Sequence, residues 1–160
     1  MHIVHPFDPI FNEESQALIL GTFPSIRSRE LGFYYGHPQN RFWKIIAAIT
    51  KTYQVPQTID GKKFMLLKNR IALWDILQSC NIEGSSDHSI RNTTPTDLSG
   101  ILNKANIKCI YTNGLQSYRF FIRYYGKSYS GKFINLPSTS SSNAMYTLEQ
   151  LVIIWTQIVS

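Results

Sequence analysis

Residues 21–43, GTFPSIRSRELGFYYGHPQNRFW, concentrate side chains suited to a flat, charged ligand. The aromatic rings of Phe33, Tyr34, Tyr35, Phe42 and Trp43 stand beside Arg27, Arg29 and Arg41. Rings on a polar loop stack on bases, and guanidinium groups hold phosphates. Phe42 and Trp43 fit better as the core face of a following helix. Tyr34 and Tyr35, flanked by Gly32 and Gly36, read as ligand-facing.

Asn40 has two readings that compete for one oxygen. Its side chain can cap the next helix by accepting a backbone N–H, the commoner case by itself. It can instead hold a water at the helix N-terminus, where the backbone dipole favours developing negative charge. His37, beside Pro38, has the chemistry of an acid or base, although a lone loop histidine is more often structural. Residues 137–143, PSTSSSN, leave a strand and enter a helix, so their hydroxyls and N–H groups can approach a phosphate closely. Ordinary turns share that composition. Residues 115–133 interleave Tyr118, Phe120, Phe121, Tyr124, Tyr125 and Tyr129 with Arg119, Arg123 and Lys127, spaced four apart and so on one helix face. A solvated basic face and a phosphate-tracking face account for them equally well.

The elements that must position these residues follow from apolar patterning. Short apolar runs at 17–20, 70–74, 107–112 and 132–136 predict buried strands. Helical spacing predicts helices over 41–49, 62–68, 115–124 and 145–159, and Thr94-Pro95 opens another reaching to about residue 103. The polar stretches 22–38 and 78–94 read as loops. Strands separated by helices imply parallel crossovers, hence an α/β fold: a three-layer α/β/α sandwich on a central, roughly four-stranded parallel sheet. Ligands of such sheets bind beyond the carboxyl ends of the strands, where 21–40, 75–91, 113–116 and 137–143 gather.

A chain of 160 residues with 43% hydrophobic and 16% charged side chains is about one domain long and favours a packed core over disorder. Its net charge of +6 is lopsided. Residues 1–97 hold ten basic and nine acidic side chains, whereas residues 98–160 hold six basic and one acidic. Such a one-sided field suits a polyanion such as nucleic acid. Cys80 and Cys109 are too few for a disulfide framework, and the four histidines are scattered, so no metal site is expected. No leader or membrane-spanning run is evident, which suggests a cytoplasmic protein. GxxxxGK[ST], GxGxxG and GxSxG are all absent.

In order along the chain, ILGTFPS, YGHPQNRFW, ALWDIL with GSSDHSI, TNG and LPSTSSSNA resemble the motifs of the uracil-DNA glycosylase superfamily. The nearest match is its hypoxanthine-DNA (deoxyinosine) glycosylase branch. The mismatch-specific uracil/thymine glycosylases are cousins sharing the HPxNRFW string. The resemblance extends from His5-Pro6-Phe7 to Asn143 and implies one glycosylase-like domain over residues 1–160, an α/β/α sandwich with a four-stranded parallel sheet. It assigns Gly21, Thr22, Phe23, Pro24 and Ser25 to a loop under the sugar and flipped base, with Tyr35 stacking on that base and His37 beside it. Phe23 stands where the cousins carry a catalytic Asn, which leaves Asn40 as the implied catalytic residue. Pro137, Ser138, Thr139, Ser140 and Asn143 match the motif that enters the minor groove and grips the phosphate.

The implied activity is a monofunctional DNA glycosylase of base excision repair, needing no cofactor. It hydrolyses the N-glycosidic bond of hypoxanthine, with uracil and xanthine as further candidates, by base flipping and a positioned water. The alternatives are a mismatch-specific G:U/G:T glycosylase and a glycosylase-like protein that binds DNA without catalysis. The expected partner is double-stranded DNA, with single strands as the variant case, and the expected state is a monomer. A location in the cytoplasm follows, at the nucleoid if the source is bacterial or archaeal.

Overall fold

A computed structural model describes residues 1–84 and 87–160. Four parallel strands form its centre. The strand β1 (His2–Val4) precedes β2 (Ala17–Gly21), which is followed by the helices α1 (Ile26–Leu31), α2 (Phe42–Ile49) and α3 (Ile59–Lys68). Then come β3 (Ile71–Asp75), β4 (Leu77–Asn81), β5 (Arg91–Pro95) and α4 (Ser99–Lys104). The chain continues through β6 (Cys109–Asn113), α5 (Leu115–Tyr125), β7 (Lys132–Leu136) and α6 (Leu148–Trp155). The main sheet has the order β3-β2-β6-β7. All its pairings are parallel, with Ala17 opposite both Ile71 and Cys109, and Cys109 opposite Lys132.

Every residue of β2 is buried, as a central strand covered on both faces requires. Alternation divides its side chains between two cores. Ala17 and Ile19 pack with Phe42, Ile45, Ile46 and Trp155 on one face, while Leu18 and Leu20 pack with Leu98, Ile101, Phe120 and Phe121 on the other. The expected three-layer sandwich is thus present.

Several local expectations are corrected. The polar stretch 78–94 is not all loop: β1, β4 and β5 form a second, antiparallel sheet. RNTTP offers no apolar signal for β5, because this edge strand is held by backbone pairing to β4. Pro95 ends that strand, where a missing N–H costs nothing, and α4 starts only at Ser99, whose N–H is held by Asp97 at 3.0 Å. The long loop 22–38 contains α1, begun by Ser25 accepting from the Ser28 N–H. The final helix is α6 followed by a tighter turn at Thr156–Val159. Lys127 lies beyond α5, so only Arg119 and Arg123 share its face. Both cysteines are buried and free. Among the described residues no helix is long and apolar enough to cross a membrane.

Candidate active site

A cleft of about 520 Å³ opens at the carboxyl edge of the main sheet. Gly21, Asp75 and Asn113, which end β2, β3 and β6, all line it, and Ser138 enters just beyond β7. Every base-pocket residue expected from sequence (Gly21, Thr22, Phe23, Pro24, Ser25, Tyr35 and His37) lines the same cleft, as does Asn40.

Asn40 is placed by two acceptor bonds. Helix α2 begins at Phe42, with Arg41 rather than Asn40 at the cap position. The Asn40 Oδ1 nevertheless accepts the Phe42 N–H at 2.9 Å, as in an Asx turn. The Thr139 hydroxyl donates to the same oxygen at 2.9 Å. Both lone pairs of Oδ1 are therefore engaged, and among the described residues no hydrogen bond takes up the Nδ2 hydrogens.

A polar network extends from this point. The Asn113 Nδ2 donates to Thr139 Oγ1 at 3.1 Å and to the Tyr35 hydroxyl at 3.0 Å, and Asn113 Oδ1 accepts the Thr139 N–H at 3.0 Å. Thr139 lines the cleft yet is 0% exposed, and its hydroxyl is engaged between Asn113 and Asn40. Pro137 and Asn143 stand outside the lining: the Pro137 carbonyl accepts the Trp155 indole N–H, and Asn143 Nδ2 donates to the Ser138 carbonyl. Ser138 and Ser140 do line it. The serine run does not open the last helix, because Thr147 caps α6 with a capping box to Gln150.

The two tyrosines separate. Tyr34 is 2% exposed, and its hydroxyl donates to the Asp8 carbonyl, so it is a wall of the cleft and part of the core. Tyr35 adopts a left-handed backbone, φ 52°, and stacks on Phe42 at 4.1 Å between centroids. That conformation is uncommon for a residue with a side chain and persists where surroundings over-determine it. Burial pushes the Tyr35 hydroxyl well above its ordinary pKa, the charge of Asp75 adds to this, and Asn113 opposes it.

Arg41 is not available for phosphate. Its guanidinium donates to the carbonyls of Tyr146 at 2.6 Å, Ser140 at 2.7 Å and Asn143 at 3.0 Å, gathering the serine loop onto the start of α2. Arg29 donates to the Gly84 carbonyl, whereas Arg27 is exposed.

Asp75 and His5 carried no role in the sequence reading. Asp75 is 4% exposed, and its Oδ2 lies 2.7 Å from His5 Nε2. The sequence signal for it is a carboxylate ending the buried run IALW, at the edge where ligands bind. His88 lines the cleft too, whereas Ser85 and Ser86 of the GSSDHSI string lie outside the described residues. Among the described residues no cluster of three or more His, Cys, Asp or Glu side chains is placed to hold a metal ion.

A family model described as the uracil DNA glycosylase superfamily matches residues 9–158. A protein of Methanosarcina acetivorans named hypoxanthine DNA glycosylase is 32% identical over 143 residues, spanning 88% of this chain and 89% of its own. One of Methanosarcina barkeri with the same name is 31% identical over 112 residues, spanning 69% and 71%. The solution NMR structure of a candidate uracil DNA glycosylase from Methanosarcina acetivorans aligns with a TM-score of 0.79 at 27% identity, covering 99% of each chain.

Proposed function

This chain belongs to the uracil DNA glycosylase superfamily and is a DNA glycosylase, and from that premise we propose that it removes hypoxanthine from deoxyinosine in DNA by hydrolysis. The observation that carries this reading is the fixed amide of Asn40 in a cleft at the strand ends. With Oδ1 engaged on both sides, Asn40 acts as a donor through Nδ2, holding the attacking water or a carbonyl of the extruded base.

A base inside the stack must first be flipped, at a cost of a few kcal/mol that is least for a damaged or mispaired base. Deaminated bases are therefore favoured before any contact is made. Tyr35, with one ring face on Phe42, offers its other face to the flipped base. Breaking the glycosidic bond places negative charge on the departing base, which hydrogen-bond donors in a sheltered cleft stabilise. Among the described residues no lysine lines the cleft, which supports a monofunctional enzyme that leaves an abasic site without a covalent intermediate. Ser138 and Ser140 are assigned to the DNA backbone, and Pro137, Thr139 and Asn143 to holding their loop. Double-stranded DNA, a monomeric enzyme and a cytoplasmic location complete the proposal.

The test is incubation with duplexes carrying a single inosine, uracil, xanthine or G:T pair, followed by alkaline cleavage. Strand scission at inosine, absent without alkali, is expected. Scission at none of the four lesions overturns the function, and a borohydride-trapped adduct overturns the monofunctional chemistry.

A further inference from the structure

Hydrolysis by water needs an acceptor for a proton, and three polar candidates of the cleft are poorly suited. Both lone pairs of the Asn40 carbonyl are engaged by Phe42 and Thr139. Asn113 is bonded through both hydrogens of its amide and through its carbonyl. His37 is exposed, with its Nδ1 accepting the Gln39 N–H at 3.1 Å.

Asp75 differs from all three. It is the register partner of Gly21 on the adjacent parallel strand, so its carboxylate lies beside the loop that begins at residue 22. A Cβ at position 21 would sit 2.8 Å from the Tyr35 hydroxyl and closer still to Asp75 Oδ1. Only glycine lets the carboxylate and the phenol converge there. Oδ2 is held by His5, and among the described residues no hydrogen bond reaches Oδ1, although Asp75 is buried and lines the cleft.

His5 is held through both of its ring nitrogens. Its Nδ1 lies 3.1 Å from the Phe7 N–H and 2.9 Å from the Phe7 carbonyl. With Nε2–H donating to the Asp75 carboxylate, Nδ1 accepts the Phe7 N–H, which fixes the ring at both nitrogens. The rings of Phe7 and Phe23 meet the imidazole edge-on at 5.6 and 5.8 Å, which shelters the pair from bulk water. Phe23, which brings no polar group of its own, thus packs on the residue that holds a carboxylate.

We propose that Asp75 is a catalytic residue of the glycosylase reaction and that His5 is its positioning partner, an assignment that rests on the function proposed above. A water hydrogen passes to Asp75 Oδ1 as the water oxygen bonds to C1′ of the sugar. The C1′–N9 bond breaks and its electron pair leaves with hypoxanthine. The departing base then takes a proton from solvent, and Asp75 returns its own to solvent. The same carboxylate opposes the positive charge that builds on the sugar.

Single-turnover excision from an inosine duplex tests this, with affinity measured on a duplex holding the non-cleavable 2′-fluoro inosine analogue. Asp75→Asn keeps an acceptor for His5 and removes only the basic oxygen. It is expected to slow excision by roughly 10²- to 10⁴-fold with affinity unchanged within about twofold. His5→Gln, which leaves the carboxylate in place, is expected to slow excision about tenfold at unchanged affinity, and the double variant to be no slower than Asp75→Asn, because the two act as a unit. Asp75→Asn excising at the wild-type rate, or losing affinity and rate together, overturns the assignment. Should that variant not fold, a wild-type rate in His5→Gln overturns the pairing. Wild-type protein inactive on inosine, uracil, xanthine and G:T removes the function itself, and this assignment with it. An active wild type with an unimpaired Asp75→Asn removes only the latter.

Discussion

The Thr139 hydroxyl donates to the Asn40 carbonyl oxygen at 2.9 Å across 99 residues of chain, and so fixes which end of the Asn40 amide faces the cleft. The Phe42 N–H on the same oxygen excludes the flipped amide, since a backbone donor cannot face an NH2 group.

From this orientation, Asn40→Asp and Asn40→Ala are expected to be equally damaging. The carboxylate can keep both acceptor bonds but has no hydrogen to offer. Each variant should slow single-turnover excision by roughly 10²-fold or more, the usual loss on removing one donor to a reacting centre. Full activity in Asn40→Asp would show that Asn40 works as an acceptor.

Thr139→Val deletes a buried hydroxyl that joins Asn40 to Asn113. It leaves an Asn113 N–H without its partner, and a loss of about 1–3 kcal/mol in urea denaturation is expected. Excision should slow as well, because the Asn40 amide is then held only by Phe42. Thr139→Ser restores the hydroxyl and is expected to recover most of the rate at a lower stability.

Arg41→Lys retains the charge yet cannot reproduce a planar fork that reaches the Tyr146, Ser140 and Asn143 carbonyls at once. A loss of roughly 2–3 kcal/mol is expected, in line with hydrogen bonds to charged groups. Limited proteolysis near residues 140–144 should then be faster than in the wild type.

Tyr34 and Tyr35 are both raised above the ordinary value of 10.0, by burial first and by Asp75 second. Below pH 10 folded and unfolded chains alike keep these protons, so the stabilisation is complete. Above it the unfolded chain ionises while the folded one does not, and stability falls by about 1.4 kcal/mol per pH unit for each tyrosine. Urea midpoints between pH 9 and 11 should show the decline, and Tyr34→Phe should make it shallower by one such increment.

The parallel sheet was legible because β2, β3, β6 and β7 are short, apolar and separated by helical spacing. Strands β4 and β5 were not, since LQSCN and RNTTP are partly solvated and owe their pairing to neighbours distant in sequence. The site divides similarly. GTFPS and HPQN are local strings, and the cleft is lined by all of the first and by His37 and Asn40 of the second. Asp75 carries no local mark that separates a buried catalytic carboxylate from one ending any strand, and its meaning depends on His5, 70 residues away. Arg41 misled for the opposite reason. An arginine among aromatic rings suggests phosphate, but only the return of residues 140–146 shows that its donors are engaged within the protein.

The bond between Asn40 and Thr139 also sets when this enzyme can exist. During synthesis at roughly 5–20 residues per second, Asn40 leaves the ribosome about 5–20 seconds before Thr139. A nascent chain ending after β6 already holds β2, β3 and Asp75, yet it has neither the second acceptor bond on Asn40 nor the loop that Arg41 gathers. Strand cohesion thus precedes chemical competence. A chain stalled before β7 therefore lacks the residues that complete both the Asn40 bonds and the Arg41 fork, and the cleft in its full arrangement is formed only after residues 139–146 have been made.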